Sequence, residues 1–216
     1  ILSGDAMFVK SVQLIQACGN KKVMDVFLRN ALLVCEGQQL DMDFETREDV
    51  SIDEYMEMIT LKTAVLPGAC LQAGALVAGA SVETAAHLFE AGKNIGIVFQ
   101  LKDDLLDAYG SEQFGKQTGG DILAGKKTYL YLRSLQLLKM SEAEKLKQLY
   151  ASEENGMKKV ESVINIFNSV NIQAETQKVM DDYYRLALEH LEKIPVKEKN
   201  KQPLKILFER LMQRKK

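Results

Sequence analysis

Acidic residues set four apart are the first feature of this sequence that suggests chemistry. In the segment FQLKDDLLD, Asp103 and Asp107 stand at positions i and i+4, with Asp104 between them. On a helix, side chains four residues apart share a face, so these two carboxylates would project side by side, one turn after Gln100. Adjacent carboxylates repel unless a cation lies between them, and magnesium prefers oxygen ligands completed by water and phosphate. Taken alone, the pattern is more often a solvated helix face.

A segment rich in glycine and lysine follows directly. Residues 115–128, GKQTGGDILAGKKT, contain Lys116, Asp121 and Lys126. Lysine is a compact point charge suited to binding phosphate groups. The segment therefore adds diphosphate-binding groups beside the acidic helix.

Two upstream segments supply further polar groups. Lys62 and Thr63 provide an ammonium and a hydroxyl, and Gln39 and Asp43 share a helix face at i and i+4. Each of these is individually common on protein surfaces. In this order, together with the acidic helix, they indicate a magnesium-dependent diphosphate site.

The composition narrows the class of protein. The 216 residues include 28 Lys and Arg against 30 Asp and Glu, so the chain lacks the excess positive charge that a nucleic-acid surface needs. No window approaches the roughly 20 unbroken apolar residues of a membrane span, so no integral membrane segment is predicted. Cys18, Cys35 and Cys70 lie in apolar stretches without CxxC spacing, which predicts small core residues in a reducing, cytoplasmic setting.

An all-α fold is predicted, because apolar residues recur every three or four positions and only three prolines occur. Ser51 and Glu54 form a capping box at the start of one helix, and Pro67 predicts a kink beside Lys62 and Thr63. The predicted helices cover residues 4–18, 22–44, a segment from 51 onward, 82–109, 128–138, 141–150, 157–168, 173–193 and 203–213.

Three further expectations concern the longest helix and its surroundings. Gly92 and Gly96 are four residues apart and permit the close approach of another helix. Residues 110–125 hold five glycines and predict a mobile loop. His87 and His190 each lie alone on a helix without a second ligand at i+4, which predicts structural roles.

These segments together resemble the trans-isoprenyl diphosphate synthases of the polyprenyl synthetase family, such as the farnesyl and geranylgeranyl diphosphate synthases. The string from Gly92 to Thr128 resembles the family's second aspartate-rich region, FQxxDDxLD followed by GKxxGxDxxxGKxT. Residues 4–6 resemble its LxGDxLL helix, residues 37–41 its GQxxD region, and Lys62–Thr63 its KT motif. The resemblance is strong from residue 1 to about 138 and rests on pattern alone thereafter.

The resemblance implies an isoprenoid-synthase-type helical bundle around a central cavity, with diphosphates held through magnesium ions. The implied metal ligands are Asp103, Asp104, Asp107 and Asp121. The implied catalytic residues are Lys62, Thr63, Gln100, Asp103, Asp104, Lys116 and Lys126. The implied substrate-binding residues are Lys62, Thr63, Gln39, Gln100, Lys116, Lys126 and Arg214.

The activity implied is the condensation of isopentenyl diphosphate with an allylic prenyl diphosphate to give longer all-trans prenyl diphosphates. The released diphosphate is a plausible proton acceptor, so no general base is assigned. A homodimer is also implied, for which the apolar helix at residues 23–35 is a candidate face.

The chain departs from the family pattern at its beginning. The first aspartate-rich motif and the upstream residues that hold isopentenyl diphosphate do not occur in it, and it opens with Ile1 rather than Met. We therefore expect the C-terminal two-thirds of a single polyprenyl synthetase domain, incomplete at the N-terminus and inactive alone. The alternatives are a non-catalytic subunit that modulates a complete synthase, and a terpene cyclase or squalene-type synthase on the same fold.

Overall fold

The described residues of this computed structural model are 1–110, 118–152 and 156–214, and their regular elements are all helical. No strand occurs within those ranges, so the predicted all-α class is confirmed. A π-helical turn, Thr60–Ala64, joins α3 to α4. The α-helices are α1 (Leu2–Ala17), α2 (Lys21–Thr46), α3 (Ile52–Ile59), α4 (Val65–Val77), α5 (Val82–Tyr109), α6 (Gly120–Leu123), α7 (Tyr129–Leu137), α8 (Met140–Ala151), α9 (Met157–Ser169), α10 (Ile172–Glu192) and α11 (Glu198–Met212).

The centre of the molecule is α5, which at 28 residues is about 42 Å long. It packs against α4 and the π-helical turn on one side and against α10 on another. A Cβ at Gly92 would lie 2.7 Å from the carbonyl oxygen of Pro67, and one at Gly96 would lie 2.6 Å from the Cα of Ala64. The prediction that these two glycines permit close helix approach is therefore confirmed.

The predicted irregularity near Pro67 takes the form of the π-helical turn. The amide of Val65 donates to the carbonyl of Thr60, five residues back, rather than to the usual residue four back. The turn lies just before Pro67, which has no N–H to give to the carbonyl of Thr63. Such turns widen the helix, and this one contains both Lys62 and Thr63.

The capping box at α3 is confirmed. The Ser51 hydroxyl accepts from the amide of Glu54, and the Glu54 carboxylate accepts from the amide of Ser51 at 2.9 Å. Glu54 also pairs with Arg47 at 2.8 Å. The backbone hydrogen bond from Ser51, followed by the Arg47 guanidinium, lowers the pKa of Glu54 to about 2.

Three lysines stabilise the C-terminal ends of helices. Lys127 Nζ donates to the carbonyl of Phe44 near the end of α2, at 2.9 Å. Lys159 Nζ donates to the carbonyl of Ser152 after α8, at 3.1 Å, and Lys201 Nζ to that of Glu192 at the end of α10, at 2.8 Å. Because the last carbonyls of a helix have no partner within it, each ammonium satisfies a free acceptor at the negative pole.

Some sequence predictions about burial and helix bounds are wrong. All three cysteines, predicted as core residues, are exposed, because an apolar stretch on a helix buries only one of its faces and each cysteine lies on the exposed one. The last helix begins at Glu198 and contains Pro203, which had been expected to start it. Residues 111–117 of the predicted glycine-rich loop lie outside the described residues, and in its described part Gly120–Leu123 form the helix α6 instead of a loop.

The two histidines are not isolated from each other. His87 on α5 and His190 on α10 bring their Nδ1 atoms to 3.1 Å, with ring centroids 5.3 Å apart. The residues are 103 positions apart in the chain, so a search for ligands at i+4 could not find this contact. Their structural role thus consists of a direct hydrogen bond between α5 and α10.

One continuous helical segment, Ile52–Val77, is long and apolar enough to cross a membrane by length and composition, with a mean hydropathy of 1.2 in its best window. The core helices of water-soluble proteins pass the same test. In this fold, the segment packs against α2 and α5.

Candidate functional site

The predicted site residues converge where the C-terminal half of α2, the π-helical turn, the C-terminal half of α5 and the short helix α6 meet. Lys62 Nζ pairs directly with Asp41 of α2. Lys126 Nζ, from the turn after α6, lies 3.8 Å from the same carboxylate. Two ammonium groups from distant parts of the sequence thus approach one point.

A glycine makes this convergence possible. A Cβ on Gly37 would lie 2.2 Å from the backbone nitrogen of Lys62. No side chain can occupy that space without moving the backbone, so Gly37 sets the distance between α2 and the π-helical turn. Asp41 lies one helical turn after Gly37, on the same face of α2.

A chain of hydrogen bonds joins Thr63 to Tyr55 through α5. Thr63 Oγ1 donates to Gln100 Oε1 at 3.1 Å, and Gln100 Nε2 donates to Asp104 Oδ1 at 3.2 Å. The Tyr55 hydroxyl donates to Asp104 Oδ2. Tyr55 is 1% exposed and Asp104 is 4% exposed. Burial raises the pKa of Asp104 to about 7, against the Tyr55 and Gln100 hydrogen bonds, which lower it.

The three carboxylates of the acidic helix contact three different elements. Asp103 pairs with Arg214 beyond α11, whose guanidinium carbon also lies 4.3 Å from the ring centroid of Phe99. Asp104 faces α3. Asp107 Oδ2 accepts the amide of Asp121 at 2.9 Å and so caps the start of α6.

Asp121 completes an acidic cluster. Burial raises the pKa of its carboxyl, and the negative charges of Asp107, Asp41 and Asp103 raise it further, while Lys126 opposes them. Asp121 therefore lies among like charges that Lys126 offsets in part. Such a position favours the binding of a cation.

Magnesium, which the family resemblance implies, fits this donor set. Asp103, Asp107 and Asp121 are only partly buried and offer hard oxygen atoms. Among residues 1–110, 118–152 and 156–214, no three acidic, histidine or cysteine side chains lie close enough to form a metal site by themselves. Magnesium usually takes one or two carboxylates, with water and phosphate as its other ligands.

A cavity of about 360 Å³ opens beside Lys126, between α2, α3 and the turn after α6. Its lining combines the apolar side chains of Phe44 and Met58 with Asp41, Glu45, Lys126 and Lys127. The adjacent lysines have different contacts, because Lys127 turns to the end of α2 while Lys126 faces the acidic cluster. Only Lys126 was predicted at the site.

One prediction is not supported by the geometry. Gln39, expected to bind substrate, is exposed and donates to Asp43 Oδ1 at 2.8 Å on the outer side of α2. Two residues correspond to about 200° of rotation around a helix, so Gln39 points away when Asp41 faces Lys62. Asp41 is thus the residue of this segment that reaches the site.

Lys116 lies outside the described residues, so its role stays a prediction. The structure places the other predicted site residues in one region: Lys62, Thr63, Gln100, Asp103, Asp107, Asp121 and Lys126. Arg214 contacts this region through Asp103. The assignment of Asp104 as a metal ligand conflicts with its burial between Tyr55 and Gln100.

The sequence interpretation also missed two residues that form part of the site, Tyr55 and Asp41. Tyr55 is 49 residues from Asp104, and no spacing rule connects them. Asp41, in contrast, had an available signal, because it follows Gly37 at i+4 and shares its face.

Comparison with known proteins identifies the family. The sequence profile of the family described as polyprenyl synthetase matches residues 1–167. A short chain isoprenyl diphosphate synthase of Methanothermobacter thermautotrophicus is 37% identical over 197 residues, covering 89% of this chain and 60% of that protein. A geranylgeranyl diphosphate synthase of Sulfolobus acidocaldarius is 33% identical over 205 residues, covering 91% of this chain and 62% of the relative. This chain therefore spans about 60% of the length of these curated relatives.

Two solved structures support the same family. A crystal structure of a geranylgeranyl pyrophosphate synthase matches with a TM-score of 0.92 at 39% identity, covering 100% of this chain and 68% of the other. A polyprenyl synthase from Caulobacter crescentus CB15, complexed with calcium and isoprenyl diphosphate, gives 0.91 at 27% identity, covering 100% and 66%. The helical fold is the one that these two synthases share. The chain belongs to the polyprenyl synthetase family.

Proposed function

We propose that this protein is a prenyltransferase that condenses isopentenyl diphosphate with an allylic prenyl diphosphate to give longer all-trans prenyl diphosphates. The observation that carries this proposal is the meeting of Lys62 and Lys126 at Asp41, beside the acidic cluster of α5 and α6. Positive and negative groups are thus both available to one bound diphosphate and its counter-cation. The relatives named as geranylgeranyl and short chain isoprenyl diphosphate synthases support the same activity.

The reaction has three steps. The carbon–oxygen bond of the allylic diphosphate breaks, the double bond of isopentenyl diphosphate attacks the allylic cation, and a proton leaves to form the new double bond. Negative charge grows on the departing diphosphate in the first step. Fixed positive groups placed at those oxygens lower the barrier, because they stabilise charge that develops only in the transition state.

The residues divide these tasks by their chemistry. Lys62 and Lys126 would bind the oxygens of the allylic diphosphate and exchange their contacts with Asp41 for contacts with substrate. Thr63 and Gln100 would present oxygen dipoles toward the developing allylic cation. Lys116 is expected to act with the other two lysines.

Asp103, Asp107 and Asp121 would hold magnesium. When bound, this ion would neutralise charge on the diphosphate oxygens. The Caulobacter crescentus relative is complexed with calcium and isoprenyl diphosphate, which supports a divalent cation for this chain as well. The partly buried carboxylates support magnesium here.

We also infer a homodimer, a single domain and a cytoplasmic location. The dimer is supported by an apolar outer face on α1 and α2, where Phe8, Leu14, Leu28 and Leu32 are exposed. The non-catalytic subunit and the cyclase are not favoured, because the acidic cluster and the lysines are present together and the relatives reported above are synthases.

The test is isopentenyl transfer from dimethylallyl, geranyl and farnesyl diphosphates with magnesium. It should be run on the protein in its full native length and on residues 1–216 alone. Formation of longer all-trans diphosphates by the full-length protein, abolished by Lys126→Ala, is the expected result. No transfer from any of the three allylic substrates would refute the proposal.

A further inference from the structure

Asp104 differs from the neighbouring acidic residues in its surroundings. Its side chain is almost fully buried, whereas Asp103 keeps 43% of its side chain exposed. Both carboxylate oxygens of Asp104 already accept hydrogen bonds from protein groups, one from Tyr55 and one from Gln100. A magnesium ion keeps several of its water ligands, and burial leaves the Asp104 carboxylate far less room for a hydrated ion than the more exposed Asp103 has.

The hydrogen-bond chain fixes the orientation of the Gln100 amide. A carboxylate only accepts hydrogen bonds, so Asp104 requires the NH₂ end of Gln100 to face it. The carbonyl end must then point the opposite way, toward Thr63, whose hydroxyl donates to it. A flipped amide would place two acceptors against each other at Asp104.

Tyr55 fixes Asp104 in turn. Its ring is buried in the core on α3, and its hydroxyl holds the second carboxylate oxygen. The position of Gln100 is therefore set by a buried anchor on a different helix and not by solvent or by substrate. This is the arrangement by which supporting residues hold a reactive group in place.

We propose that Asp104 is a positioning residue and not a metal ligand: with Tyr55 it locks the Gln100 carbonyl toward Thr63. The inference rests on the proposed prenyl transfer, in which that carbonyl dipole faces the allylic cation. It assigns two adjacent aspartates opposite roles. Asp103 binds the cation, and Asp104 orients the dipole.

The experiment compares Asp104→Asn with Asp103→Asn in the full-length protein. Asparagine keeps the size of the side chain but presents one acceptor and one donor, so it cannot accept from both Tyr55 and Gln100. We expect Asp104→Asn to lower kcat by roughly 100-fold, since small misplacement of a reacting group has that order of effect. KM for both diphosphates should stay within about twofold of wild type.

Metal binding gives the decisive readout besides activity. The dissociation constant for Mn²⁺, measured by electron paramagnetic resonance without substrate, should be unchanged in Asp104→Asn and clearly raised in Asp103→Asn. Equal loss of Mn²⁺ affinity in both variants would overturn the proposal. So would a lower melting temperature with unchanged kcat, since that marks a purely structural role.

Tyr55→Phe provides a second route if Asp104→Asn does not fold. It removes one donor and keeps the Gln100 bond, so we expect a smaller fall in kcat with the same Mn²⁺ affinity. An unchanged kcat in folded Tyr55→Phe contradicts the lock. Absence of transfer by the wild-type protein would instead refute the proposed function, which separates the two failures.

Discussion

Arg214 and Asp103 form an ion pair at the edge of the acidic cluster. The Arg214 side chain is 24% exposed and also lies against the ring of Phe99, while the Asp103 side chain is 43% exposed. A cation that binds Asp103 must compete with this guanidinium. Ion pairs of this exposure contribute only about 0.2–1 kcal/mol.

Replacing Arg214 by Gln should therefore raise the affinity for Mn²⁺ in the absence of substrate, by at most about fivefold. Electron paramagnetic resonance titration measures this directly. Arg210→Gln is the matched control, because Arg210 is exposed on α11 and should leave the affinity unchanged. Equal affinities in Arg214→Gln and wild type would show that the pair does not compete with the metal.

The imidazole pair predicts a pH dependence of stability. Burial lowers the pKa of His190, and the positive charges of Lys193, His87 and Lys93 lower it further, while Glu90 opposes them. A lowered pKa means that the unfolded chain binds the proton more readily. The free energy of unfolding should therefore fall as the pH drops below about 6.5, the ordinary histidine value, and level off below the folded pKa.

Urea unfolding of wild type and His190→Gln between pH 5 and 8 tests this expectation. The wild type should lose stability relative to the variant as the pH falls, because two protonated imidazoles at 3.1 Å would both carry a proton on Nδ1. A constant difference between the two proteins across this range would contradict it.

At the scale of elements, the contact between α2 and the π-helical turn depends on Gly37. Its Cβ position lies 2.2 Å from a backbone atom, which cannot move aside as a flexible side chain can. We expect Gly37→Ala to lower the free energy of unfolding by roughly 1–3 kcal/mol, the usual cost of overpacking. Prenyl transfer should fall with it, because Lys62 and Asp41 would separate.

Gly74→Ala is the control for that substitution. Gly74 lies within α4 with nothing within 4 Å of its Cβ position, so alanine should raise stability by about 0.5–1 kcal/mol through reduced backbone entropy. The midpoints of urea unfolding should thus shift in opposite directions. Equal shifts would mean that the close approach at Gly37 contributes nothing specific.

Local patterns predicted the elements well. The bounds of α5 follow from its apolar spacing and its Ser81 cap, and the capping box gave the start of α3. The sequence could not predict which face of α2 turns toward the site. Gln39 and Asp41 both lie on α2, and only tertiary packing shows which one faces Lys62. The hydrogen bond between Tyr55 and Asp104 joins two helices, and such a pair leaves no periodic signal in one sequence.

At the scale of the whole molecule, the buried apolar side chains form two clusters. The main core surrounds α5 and includes residues from α3 to α11. A smaller cluster, built around Val23, Val26 and Leu76, lies between α2, α4 and the start of α5. Helix α1 has no buried residue, and its main contact among the described residues is with α2. It therefore gains little from packing within this chain.

The outer face of α1 and α2 should be covered in solution by a second copy. Leu28 is 45% exposed and Leu32 is 61% exposed, one turn apart on α2, and the rings of Phe8 and Phe27 stack beside them. An exposed apolar face of this kind is typical of a subunit interface.

Sedimentation velocity at micromolar concentration should show a dimer. The double substitution Leu28→Glu and Leu32→Glu should shift it to a monomer, because charge would enter the buried interface. Met140→Glu, at an 85% exposed position on α8, should leave the dimer intact. A wild-type monomer at tens of micromolar, or equal dissociation by both charge variants, would show that this face is not the interface.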